Sequence, residues 1–295
     1  MIGGVQHRTA TVDGMAVFYR EAGPPDAPPL VLLHGFPTSS HMFRNLIPAL
    51  ADDYHLVAPD HIGFGYSAAP SLGDFPYTFD ALTDVTMSLL DQLDIRRYAV
   101  YMQDYGAPIA LRLLLRRPES ISAIISQNGN AYQEGFVEEF WKPLFAYAKD
   151  PGPQNEAAAR LAFTEKEVRA QYETGVPDVG LVSPDAWHHA LEVLGRPGNH
   201  ENQLQLFRDY QTNLDVYPKA QECFRQTRLP LLAVWGGNDP IFGPDGARAF
   251  QRDLPDAEIH LLDTGHFALE THVDEIAGQI REFLGRTQRQ PMMAR

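Results

Sequence analysis

Four short segments hold the residues able to do chemistry, and each directly follows an apolar run. In Tyr98-Ala99-Val100-Tyr101-Met102-Gln103-Asp104-Tyr105-Gly106-Ala107-Pro108 a strand-like run meets an acid, a small residue and then a helix-like pattern. A sharp strand-to-helix turn there would expose Asp104 as a nucleophile. Gly106 gives such a turn its space, and the helix N-terminus behind it favours a carboxylate. The same segment also reads as Asp104 capping a helix with Pro108 in its first turn. His34-Gly35-Phe36-Pro37 can shape a loop whose backbone N–H groups converge on one spot, with a cis proline, or can be an ordinary turn. In Trp235-Gly236-Gly237-Asn238-Asp239-Pro240, Asp239 could orient a histidine, although Asn-Asp-Pro is also good turn chemistry. Asp263-Thr264-Gly265-His266-Phe267 supplies His266 as a general base, against the commoner structural use of a lone histidine.

These side chains need a frame. Apolar runs at 30–33, 55–58, 98–102, 123–126, 231–235 and 259–262 read as buried strands, and 81–93, 109–117 and 273–284 as helices between or after them. Such alternation implies an α/β fold, a parallel sheet with helices on both faces. Residues 9–12 and 16–20, around Asp13-Gly14, read as a hairpin. Alternation stops between about 133 and 226. That stretch reads as helices at 138–148, 156–161, 165–172, 184–194 and 200–210, broken at Asp150-Pro151-Gly152-Pro153 and Arg196-Pro197-Gly198-Asn199. The expected organisation is a core formed by 1–132 and 227–295 with a helical cap, 133–226, inserted in it. A separate helical domain on linkers is the alternative. Ligands bind past the C-terminal ends of strands in such sheets, which is where all four segments lie.

Composition narrows the partners. With 24 basic against 38 acidic residues the net charge is −14, which argues against nucleic acid and against an anionic membrane surface. No apolar run approaches the roughly 20 residues that span a bilayer, and the first residues lack a signal-peptide pattern. The single cysteine, Cys223, cannot form a disulfide within the chain. A cytoplasmic protein, monomer or homodimer, acting on a small molecule is the expectation. His188-His189 point apart on a helix and make a poor metal pair. The glycine-rich stretch from Pro59 to Gly65 lacks the lysine of a phosphate loop. No metal and no cofactor is expected.

Taken together, the segments resemble the α/β-hydrolases with an aspartate nucleophile, the epoxide hydrolase and haloalkane dehalogenase group. The matching features are His34-Gly35-Phe36-Pro37, Gly63-Phe64-Gly65-Tyr66-Ser67, Gln103-Asp104-Tyr105-Gly106, the stretch from Trp235 to Asp239, and Gly265-His266-Phe267. They span nearly the whole chain, the cap matching least. The order nucleophile, acid, histidine is that of the fold. The resemblance implies an α/β-hydrolase fold: a mostly parallel eight-stranded sheet, helices on both faces and an inserted helical cap. It implies Asp104 as nucleophile, Asp239 as orienting acid, His266 as general base, and an oxyanion hole from the backbone N–H groups of Phe36 and Tyr105. Met102 departs from the smaller residue often found there.

An aspartate nucleophile changes the substrate. Attack on an ester carbonyl would give an anhydride, whereas attack on a saturated carbon gives an alkyl ester that water can cleave. Apolar epoxides and organohalides both qualify. An opening epoxide needs a donor such as a tyrosine O–H, and a departing halide needs N–H groups. Haloalkane dehalogenases usually carry Trp after the nucleophile and often Asn after His-Gly, where this chain has Tyr105 and Phe36. Fluoroacetate-type dehalogenases carry an Arg that residues 105–108 lack. Among the cap tyrosines Tyr147, Tyr172, Tyr210 and Tyr217, the position of Tyr210 resembles the lid tyrosine of epoxide hydrolases, with Tyr147 as its partner. Trp141 and Trp187 could line a pocket for halide, and Phe242, like Phe64 and Phe75, could be a pocket wall. After 126 comes Gln127-Asn128-Gly129-Asn130, with no acid to replace Asp239. The leading expectation is an epoxide hydrolase giving a vicinal diol. The alternatives are a haloalkane or haloacid dehalogenase with the same triad, and a non-catalytic ligand-binding homologue.

Overall fold

Asp13 and Gly14 both have positive φ, 50° and 81°, the backbone a two-residue hairpin turn demands. They join β1 (Gln6–Val12) to β2 (Met15–Ala22) as an antiparallel pair. The remaining strands are β3 (Pro29–Leu33), β4 (His55–Pro59), β5 (Tyr98–Gln103), β6 (Ile121–Gln127), β7 (Leu231–Gly236) and β8 (Glu258–Leu262). Each contains the apolar run read from the sequence, extended by one to three residues. The computed structural model describes residues 4–289.

The eight strands form one sheet in the order β1-β2-β4-β3-β5-β6-β7-β8. β2 is antiparallel to β1 and to β4, and every other neighbouring pair is parallel. β4, β5 and β7 are buried along their whole length, as strands covered by helices on both faces must be. That burial is why they read as continuous apolar runs rather than as alternating ones. β1 and β8, at the two edges, are far more exposed. Because β3, β5, β7 and β8 run parallel, the residues that follow them all emerge at the same end of the sheet.

Helices Phe79–Gln92, Gly106–Arg116, Pro244–Asp253 and Val273–Arg289 connect or follow the strands. Between β6 and β7 the described residues hold no strand. Helices there span Glu138–Lys149, Pro153–Arg160, Glu165–Glu173, Pro184–Leu194, Asn199–Asp209 and Asn213–Thr227. The last of these was not expected from sequence, because Pro218 falls inside it and proline normally disfavours a helix interior. This helical segment packs on the helix after β5 and is pinned by charged side chains to that helix and to the start of the helix Phe79–Gln92. Buried Arg112 donates to Asn213 Oδ1 at 2.6 Å and to Thr212 Oγ1 at 3.1 Å, while the Asp209 carboxylate accepts the Phe79 N–H at 2.7 Å. The two clamps hold the turn between them, which carries Tyr210, against the sheet domain. Among the described residues no helix is long and apolar enough to cross a membrane.

Candidate active site

The turn after β5 holds Asp104 at φ 47°, a left-handed conformation that costs a non-glycine residue on the order of 1–3 kcal/mol and persists only where the surroundings impose it. Two glycines let the surroundings do so. A Cβ at Gly106 would lie 2.2 Å from the Leu33 carbonyl oxygen, and one at Gly35 would lie 2.4 Å from Asp104 Oδ1. Without side chains at these positions, the end of β3 packs directly against the turn. The Phe36 N–H then donates to Asp104 Oδ1 at 2.7 Å. The Phe36–Pro37 peptide is cis. Asp104 is not the N-cap of the following helix, a position taken by Tyr105. Burial raises the Asp104 carboxyl to about 6, a rise held in check by the nearby His266 imidazole and the Phe36 and Tyr105 N–H groups, and increased by Asp239.

His266, just past β8, is fully buried. Its Nδ1 lies 2.8 Å from Asp239 Oδ2. Burial by itself would lower the imidazole pKa, but the charge and hydrogen bond of Asp239 and the charge of Asp104 outweigh it, and the net shift is upward. Asp239 accepts two further N–H donors, from Asn128 to Oδ2 and from Ile241 to Oδ1, each at 2.7 Å. Asn128 Oδ1 accepts the Gly236 N–H at 2.8 Å, so one amide ties β6 to the end of β7 and orients the carboxylate. The histidine loop is fixed from below as well. Gln127 donates to the His266 carbonyl at 2.8 Å and accepts from the Tyr101 hydroxyl at 2.6 Å. The structure thus brings Asp104, Asp239, His266 and the Phe36 and Tyr105 N–H groups together from four strand ends. Such an array can set a carboxylate against an electrophile and a held imidazole against a proton.

Residues 28–273 match the model of the alpha/beta hydrolase fold family.

The chain belongs to the α/β-hydrolase family.

The uncharacterized hydrolase YNR064C of Saccharomyces cerevisiae is 44% identical over 277 residues, which cover 93% of this chain and 95% of that one. A haloalkane dehalogenase of Mesorhizobium japonicum is 30% identical over 285 residues, covering 90% and 87% of the two chains. Among solved structures, the haloalkane dehalogenase DbeA of Bradyrhizobium elkani superposes with a TM-score of 0.82 over 97% of this chain and 99% of its own, at 23% identity. The chain is therefore an enzyme, a hydrolase of this fold.

Over the site of this α/β-hydrolase the helical segment lays an aromatic roof. The Tyr210 ring lies 4.3 Å from Trp141, 5.6 Å edge-on from Phe79 and 5.8 Å from Tyr105, centroid to centroid. Phe242 bridges Trp141 at 5.2 Å and His266 at 6.2 Å, the place of a pocket wall. Phe64 reaches Tyr105 at 6.3 Å, whereas Phe75 packs on Tyr77. Three expectations from sequence need correction. Trp141 is present, but its indole N–H donates to the Ile241 carbonyl at 2.9 Å and is not open to a halide. Trp187 stacks on His188 under the Arg169 guanidinium, away from this roof. Tyr147 is buried on the side of Glu156, Arg160 and Arg208. The second tyrosine at the site is Tyr217, stacked on Phe136, which also packs on Tyr210. The hydroxyls of Tyr210 and Tyr217 are buried and interact with each other, that of Tyr217 also with the Asn130 side chain. Burial pushes both phenols upward; at Tyr210 the neighbouring Tyr217 and the charge of Asp104 add to it, whereas at Tyr217 the contacts with Tyr210 and Asn130 oppose it and the charge of Asp104 adds to it. The seven-residue spacing of Tyr210 and Tyr217, two helical turns, was the available signal. Pro218 concealed it. Among the described residues no group of three or more His, Cys, Asp or Glu could hold a metal ion.

Proposed function

We propose that this enzyme is an epoxide hydrolase: Asp104 opens the ring, and water driven by His266 releases a vicinal diol. The observation that carries the reading is the pair of buried hydroxyls of Tyr210 and Tyr217, adjacent to each other within the field of Asp104. A phenol with a raised pKa keeps its proton until a stronger base forms beside it, and the alkoxide of an opening epoxide is such a base. In the first step Asp104 Oδ attacks one ring carbon, the C–O bond breaks, and a tyrosine proton passes to the departing oxygen. In the second, His266 takes a proton from water, whose oxygen attacks the carboxyl carbon of the ester. The tetrahedral oxyanion meets the Phe36 and Tyr105 N–H groups, then collapses: the bond from the carboxyl carbon to the substrate oxygen breaks, that oxygen leaves with the proton of the added hydroxyl, Asp104 is again a carboxylate, and the proton on His266 returns to the tyrosinate. Asp239 holds the imidazole and supports its charged form. Asp104 and His266 are buried, so the helical segment acts as a cap that must move to admit substrate and then excludes water from the first step.

The second reading, dehalogenation of an organohalide on the same three residues, has support from the 30% identical haloalkane dehalogenase. The occupied Trp141 N–H and Tyr105 in place of Trp weigh against it. Tyr210→Phe and Tyr217→Phe separate the two. Each is expected to slow single-turnover alkylation by an epoxide on the order of 10²-fold, and to leave alkylation by an alkyl halide within about twofold. Undiminished epoxide opening in both variants, or halide release outpacing diol formation in the wild type, overturns the epoxide reading.

A further inference from the structure

Gln103, the last residue of β5, immediately precedes Asp104 and is fully buried. Its side-chain Nε2 lies 2.7 Å from Nε2 of His266, the atom that faces away from Asp239. The other end of the amide, Oε1, is buried and has no hydrogen-bond partner among the described residues. An unsatisfied buried carbonyl is costly, and the residue that tolerates it sits against the base.

Nδ1 of His266 faces a carboxylate oxygen of Asp239, which can only accept, so Nδ1 carries the proton. In the neutral ring Nε2 is then a bare acceptor, and the Gln103 N–H fills it. Once Nε2 has a proton of its own, that N–H faces another donor and the contact turns repulsive. A half-turn of the amide about its last torsion brings Oε1 to Nε2 instead. The turn gives up only a bond that protonation has already destroyed, and it supplies Oε1 with the partner it lacks.

We propose that Gln103 is a positioning residue that favours the neutral form of His266, against the charges of Asp239 and Asp104, and, by turning its amide, accepts the Nε2 hydrogen once His266 is charged. The proposal rests on the reading of His266 as the base for ester hydrolysis. It resolves a tension in the site. Asp239 and Asp104 are the charged groups that act on the His266 ring, and both favour the imidazolium, which cannot accept a proton from water. The Gln103 N–H is the group in contact with the ring that favours the neutral form. When the ester forms, the Asp104 charge disappears, the amide yields Nε2 to the attacking water, and the water proton passes to Nε2. Oε1 then accepts a hydrogen bond from that proton, and no proton is transferred to the amide.

The test uses the full-length protein labelled with ¹⁵N at histidine and compares the wild type with Gln103→Met, an unbranched apolar replacement, and with Gln103→Glu. In the wild type, above the His266 titration midpoint, the His266 nitrogens are expected to report a neutral ring protonated at Nδ1. Loss of one hydrogen bond to the neutral form raises the His266 titration midpoint by about one unit in Gln103→Met, and Gln103→Glu raises it further. In single-turnover kinetics near neutral pH, ester hydrolysis slows about tenfold or more in both variants, while alkylation is preserved. An unchanged midpoint in the variants, or equal losses in the two half-reactions, overturns the proposal. Should Gln103→Met fail to fold, Gln103→Glu decides alone by the same midpoint. The NMR result does not depend on the role of Asp104. A midpoint that responds to Gln103 in an enzyme that forms no ester would therefore refute the mechanism and leave the contact standing.

Discussion

His266→Gln is expected to leave the enzyme alkylated: substrate reacts once, and the ester on Asp104 persists. The first half-reaction needs only the carboxylate, the electrophile and the donor to the leaving oxygen. The second needs a base, and the fully buried His266, held by Asp239 at 2.8 Å, is the imidazole placed to serve. Loss of a general base costs on the order of 10²–10⁴-fold, enough to convert a transient ester into the resting species. Intact-protein mass spectrometry reads the outcome. An epoxide adds its whole mass, whereas a halide substrate adds its mass less HX. The imidazole also helps restrain the Asp104 pKa, so the variant carboxyl titrates higher than in the wild type. The trapping experiment therefore belongs at about pH 8, where Asp104 remains ionised. No added mass after exhaustive exposure to an epoxide that the wild type turns over would contradict the assignment of His266.

Asp104→Asn is expected to abolish turnover, on the order of 10⁴-fold or more, and at the same time to stabilise the protein at alkaline pH. The second effect follows from the carboxyl being raised to about 6 by burial. A folded-state pKa above the unfolded value means that the folded state binds the proton more tightly. The penalty for ionisation is absent below about pH 4, grows as pH rises, and is complete above about 6. A shift of roughly two units corresponds to at most ~3 kcal/mol, and the variant also loses the attraction between Asp104 and His266. A gain of about 1–3 kcal/mol at pH 8, shrinking to nothing near pH 4, is the expected pattern in urea unfolding. The same titration should make wild-type alkylation fall about tenfold per pH unit below 6. A variant less stable than the wild type at pH 8 and equally so at pH 4 would show that the carboxylate is not held against its ionisation preference.

The frame was legible because buried parallel strands write themselves as continuous apolar runs, and because Asp13-Gly14 is turn chemistry with one good solution. The strand ends were legible too, since Asp104, Asp239 and His266 each follow such a run and the parallel sheet delivers them to one edge. Much of the site's support was not. Gln103 sits inside an apolar strand, where a single polar residue carries no signal of what it faces. Asn128 looked only like the absence of an acid, yet its amide donates to Asp239 and fixes that carboxylate. Tyr217 was masked by Pro218, which sits in a helix stabilised by packing rather than by its own propensity. Trp141 and Trp187 show the converse limit. Sequence places an indole near a site but cannot say that its N–H is spent on a backbone carbonyl, as that of Trp141 is, or that its ring lies beneath an arginine, as that of Trp187 does.

The most direct measurement is a single turnover of wild-type enzyme in H₂¹⁸O, with enzyme in excess of epoxide, followed by mass analysis of the diol and of the peptide containing Asp104. Covalent catalysis by Asp104 transfers one of its own oxygens to the product, so the first diol formed should carry no ¹⁸O and the peptide should gain one ¹⁸O atom. An ¹⁸O-labelled diol from an enzyme whose Asp104 peptide stays unlabelled would mean that water attacks the substrate directly, and that the ester does not form.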